Sequence, residues 1–60
     1  MSRVIFLIQA INENAAYIDM IYNDSDLTKQ TKIETVCRIS NITINNALEL
    51  QTIIKNEIYE

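Results

Sequence analysis

The sequence predicts an all-α domain of three helices, and three observations predict it. The 60 residues include neither Gly nor Pro. Tight hairpin turns favour Gly or Asn-Gly, and strands are normally punctuated by such residues, so the chain has few means of building a sheet. Helices tolerate the lack, because Asn can take the left-handed position at a helix end. Apolar residues recur at alternating steps of four and three, which is the period of one helix face. Residues that bond their own backbone cluster at Asn23-Asp24-Ser25-Asp26, and poor helix formers cluster at Ser40-Asn41-Ile42-Thr43. Twelve isoleucines pull the other way, since β-branched side chains lose rotamer freedom in a helix and favour strands.

The first helix is expected over about 2–22, with Ser2 as its cap. Val4, Ile8, Ile11, Ala15, Ile18 and Tyr22 draw one stripe along it, and Leu7, Ala10, Tyr17 and Ile21 widen that stripe. Asn12, Glu13 and Asp19 fall on the other side. A stripe this broad suits a central core helix that also offers a dimer face through Val4, Leu7, Ile8, Ile11, Ile18 and Tyr22. The loop Asn23–Asp26 follows, with Asp26 or Thr28 placed to cap the next helix.

The second helix is expected over about 27–40. Ile33, Val36 and Cys37 share a face, Ile39 lies near its edge, and Lys29, Lys32, Glu34 and Arg38 surround it. Ser40-Asn41 reads as its stop, with Asn41 left-handed. Thr43 then caps a third helix over about 43–59, where Ala47, Leu50, Ile54 and Ile58 form a stripe beside Ile53. An alternative keeps these two helices as one. Ile33, Cys37, Ser40, Ile44, Ala47, Gln51, Ile54 and Ile58 hold the four-three rhythm straight through the expected turn. On that alternative the chain is an αα-hairpin that dimerises into a four-helix bundle. Ser40-Asn41-Ile42-Thr43 is a run of poor helix formers, and this favours the break.

The central stretch Val36-Cys37-Arg38-Ile39-Ser40-Asn41-Ile42-Thr43 resembles the heart of a helix-turn-helix domain of the winged-helix type, without the wing. An aliphatic and a small residue (Val36, Cys37) precede a turn (Asn41, Ile42), and Thr43 stands where Ser or Thr caps the recognition helix. Ala47, Leu50 and Ile54 stand at its inward positions, and Leu27-Thr28 resembles the pair that opens such a unit. The resemblance covers about 27–59. It departs from the family in Asn for the turn Gly and Glu57 where Gly is common. The resemblance implies a DNA-binding transcriptional regulator. Ile44, Asn45, Asn46, Leu48 and Glu49 would then meet base edges, and Lys29, Lys32 and Arg38 would meet phosphates.

Composition sets limits on function. The net charge is −3, whereas a nucleic-acid-binding domain is usually basic. Between Thr28 and Asn46, however, three positive residues stand against Glu34 alone. With no His, and with one Cys on an apolar stripe, neither a metal site nor acid–base or nucleophilic catalysis is expected. Without Gly there is no phosphate-cradling loop. No enzyme activity, cofactor or small-molecule substrate is therefore expected. The free cysteine and the absence of a signal-peptide pattern suggest a cytoplasmic protein with no membrane association.

Two functions remain. One is a small dimeric helix-turn-helix regulator of DNA. The other is a small acidic helical module or inhibitor, of the phage or plasmid kind, that acts on a protein target.

Overall fold

In the computed structural model, which describes residues 2–59, the chain forms two helices, α1 (Ser2–Tyr22) and α2 (Lys29–Tyr59). The all-α reading holds. The three-helix arrangement with a helix-turn-helix corner does not. α2 runs unbroken through Ser40, Asn41, Ile42 and Thr43. Among the described residues none has a positive φ, so Asn41 is helical rather than left-handed.

The reason is a contest between local preference and period. Four poor helix formers cost about 2 kcal/mol relative to alanines. Breaking the helix there would swing Ile39, Thr43, Leu50 and Ile53 off the line they share, and all four are partly buried. Half-burial of the three aliphatic side chains is worth about 2–4 kcal/mol together. Thr43 also lacks the role of a cap, because its hydroxyl donates to the Ile39 carbonyl one turn back at 2.8 Å. Thr52 bonds the Leu48 carbonyl in the same way at 3.0 Å. Such back-bonding satisfies the hydroxyl inside a continuous helix.

The break that does form lies at residues 23–28. The Asn23 side-chain amide donates to the Asp19 carbonyl (2.8 Å) and to Asp19 Oδ1 (3.0 Å), and this closes the end of α1. Asp24 Oδ1 accepts from the Asp26 amide at 2.8 Å, which forms an Asx turn. Thr28 Oγ1 accepts from the Thr31 amide at 3.1 Å, so Thr28 is the cap of α2.

Two contacts fix the register of the hairpin. Arg3 Nη2 donates to Glu49 Oε1 at 2.7 Å near one end, and Lys32 Nζ donates to the Tyr22 carbonyl at 2.9 Å near the other. The helices are thus antiparallel, with Leu7 level with Asn46, Ile11 with Ile42, and Ile18 with Thr35. The facing line of α1 is Val4, Leu7, Ile11, Asn14, Ile18 and Ile21; that of α2 is Val36, Ile39, Thr43, Asn46, Leu50 and Ile53. Each steps by three and four, the knobs-into-holes spacing of a coiled coil, and every member is buried or half-buried.

The resulting core is thin. Among the described residues only Leu7 (0% exposed) and Ile21 (9%) are buried. α2, at about 46 Å, outruns α1. Ser2 is level with about Gln51, so Thr52–Tyr59 project past the start of α1. The longest dimension is 49 Å against 15 and 11 Å across. The radius of gyration is 14.3 Å, where a compact chain of this length would have about 10 Å.

Candidate protein-interaction face

A two-helix hairpin has two flanks, and their chemistry differs. On the first flank Arg3 makes a bidentate pair with Glu49 through Nε and Nη2. Arg3 also lies over the Phe6 ring at 5.1 Å from its centroid. The pair is solvent-exposed. The Arg3 hydrogen bond holds the Glu49 carboxyl below its ordinary range, and the same bond raises Arg3. Helical spacing places Glu13 and Arg38 on this flank too.

The opposite flank is set by Tyr22, which shares a hollow with Ile33 and Cys37. From α1 it carries Ile8, Ala15 and Tyr22, with Asp19 at its outer edge. From α2 it carries the line that begins at Ile33 and Cys37 and passes Ile44 and Ala47 to Ile54 and Ile58. No Lys, Arg, Asp or Glu interrupts that line over 26 residues, and only Ser40 and Gln51 are polar. Most of its aliphatic members are open to solvent: Ile8, Ile33, Ile44 and Ile58 are each 45% exposed or more. Two hollows mark the two ends. One of about 700 Å³ lies near the loop, walled by Tyr22, Leu27, Ile33, Val36 and Cys37 and rimmed by Lys29 and Lys32. The other, of about 630 Å³, runs along α2 from Ile44 to Lys55.

The residues expected at DNA fall into separate places. Ile44 and Leu48 are 55% exposed and Asn45 is exposed, but they lie mid-helix rather than at a helix start. Asn46 is half-buried on the seam beside Leu7, and Glu49 is held by Arg3. Of the expected phosphate contacts, Lys29 and Arg38 are exposed, whereas Lys32 is half-buried with its amine on the Tyr22 carbonyl. Arg38 belongs to the opposite flank from the Lys29 hollow. The structure does not gather the three onto one surface.

The expected dimer residues also divide. Val4, Leu7, Ile11 and Ile18 lie on the seam with α2, while Ile8 and Tyr22 stay exposed on the open flank, Tyr22 at 72%. Cys37, expected in the core, is exposed there as well. Among the described residues no group of His, Cys, Asp and Glu is placed to hold a metal. Compared with protein-family models, curated proteins and solved structures, the chain matches none.

What sequence reasoning missed was which flank of α1 stays open. The signal was present in the uncharged line from Ile33 to Ile58, but it becomes a surface only once the hairpin register is known. α1 is also long and apolar enough to cross a membrane, by length and composition alone. A cytoplasmic location is therefore not established by the chain.

Proposed function

We propose that the protein is a small helical protein–protein interaction module whose working surface is the flank that carries the uncharged line of α2. The observation that carries this reading is the uncharged, mostly apolar line from Ile33 to Ile58, which lies beside the seam with α1 and is left largely exposed. Water-soluble monomers rarely leave so long an apolar strip uncovered, and such strips mark contacts with other proteins or membranes. Shallow hollows lined by aliphatic side chains suit the ridge of a partner helix.

The regulator-of-DNA reading has less support. It was built on a turn at residues 40–43, and its cationic residues point in different directions around α2. Membrane insertion of α1 has Asn12, Glu13 and Asn14 against it, mid-helix, where an acidic side chain alone costs about 3 kcal/mol.

Site-specific photo-crosslinking in producing cells tests the proposal. A benzophenone side chain at Ile44 should give discrete protein adducts, and the same group at Glu13, on the charged flank, should give few. Equal yields from both positions, or lipid adducts from Ile44, would sink it. A random duplex pool should show no retention at physiological salt.

A further inference from the structure

The open flank has a property that a surface for an unrelated protein would not need. Reversed against itself, the line on α2 matches Ile33 with Ile58, Cys37 with Ile54, Ser40 with Gln51 and Ile44 with Ala47, with every step in phase. Large residues meet large or small apolar ones, and the two polar residues meet each other. In antiparallel coiled coils the two lines of a seam pair in this crossed manner.

We propose that the first occupant of this face is a second copy of the chain, packed antiparallel along α2 to give a four-helix assembly with twofold symmetry. The inference rests on the reading of the open flank as a protein-binding surface. Three further observations single out a second copy. Charge is complementary at the edge of the seam: Glu34 of one copy comes alongside Lys55 of the other, and the symmetry repeats the pair. The overhang Thr52–Tyr59, about 12 Å long, has no α1 beside it in its own copy. In the antiparallel pairing it lies on the loop end of the second copy. There the hollow walled by Tyr22, Leu27 and Ile33 receives Ile54 and Ile58, and Glu57 arrives at the rim formed by Lys29 and Lys32. Finally, the area is sufficient. The chain exposes 4807 Å², whereas a compact monomer of 7.0 kDa exposes about 4,000 Å². The excess of about 800 Å² reflects the elongated hairpin and leaves ample surface for a second copy to cover.

Sedimentation equilibrium on the full chain should give about 14 kDa, twice the 7.0 kDa of one copy. Ile44→Glu would bury two charges at the twofold and should weaken association at least about 100-fold. A charge exchange tests the register without disturbing the fold. Glu34→Lys and Lys55→Glu should each weaken self-association by about 5-fold, and an equimolar mixture of the two should recover it, because both pairs are then restored between unlike copies. A monomer of intact helicity at every concentration overturns the proposal, as does a mixture that associates no better than either variant alone. If the chain is monomeric while Ile44 still crosslinks to a different protein, the dimer fails and the interaction module stands. If neither is seen, both fail.

Discussion

Ile42 and Ile44 stand two residues apart on α2 and are almost equally exposed, at 51% and 55%. Exposure alone would rank them as equivalent, yet they belong to different flanks. Ile42 shares its side with the Arg3–Glu49 pair, where charged groups keep water close. Ile44 sits at the middle of the uncharged line. An apolar residue among ions is ordinary surface; the same residue within a long uncharged strip is a candidate for a site. The two flanks of one hairpin thus differ in neighbourhood rather than in fractional exposure, and the proposed interface rests on that difference.

The largest expected effect erases the comparison by removing the seam that holds both flanks in place. Leu7→Ala leaves a cavity at the one fully buried position and should cost about 3 kcal/mol or more. In so thin a core this should abolish the cooperative thermal transition in circular dichroism. The next is the direct contrast. Ile44→Glu should lower the association constant at least about 100-fold, whereas Ile42→Glu should leave it within about 2-fold, both read by sedimentation. Equal losses from the two would mean that the flanks are not distinct.

A smaller effect serves as a control common to both flanks. Thr28→Ala removes the cap of α2 and should destabilise by about 1 kcal/mol in denaturant titration, with no change in the contrast between Ile44→Glu and Ile42→Glu. The smallest belongs to the charged flank. Because the Arg3 hydrogen bond lowers the Glu49 pKa, the pair's contribution is complete above the ordinary carboxylate range and is lost as the pH falls through the lowered folded value. Glu49→Gln should therefore flatten that part of the acid-unfolding curve and change stability little near neutrality. An unchanged acid limb would show that the pair contributes nothing in solution.

The sequence carried the helical class and the position of the real loop, and the reasons are local. A chain without Gly or Pro has little material for sheet turns. Asn23–Asp26 concentrates residues whose side chains compete for backbone bonds, and the structure uses Asn23 and Asp24 in that way. Ser40–Thr43 offers similar residue types, yet no turn forms. There Thr43 lies in phase with the line that α2 packs against α1, and the longer-range pattern prevails. The expectation failed because propensity was weighed over four residues while the period extends over the whole of α2. Asn46 and Glu49 were misplaced for a related reason. Whether a residue of α2 meets α1 or faces solvent depends on the register set by the loop, and no single segment reveals that.

The thin interior has a consequence for the amount of protein in a cell. With Leu7 and Ile21 as its only well-buried side chains among those described, each hairpin of the proposed dimer would draw much of its stability from its mate, so that folding and pairing would become one equilibrium governed by mass action. Dilute chains would be open to proteases and short-lived, and concentrated chains would shelter one another and persist. Turnover would then fall as synthesis rises, so that expression level acts as a threshold and the interior too small to stand alone acts as a gauge of abundance.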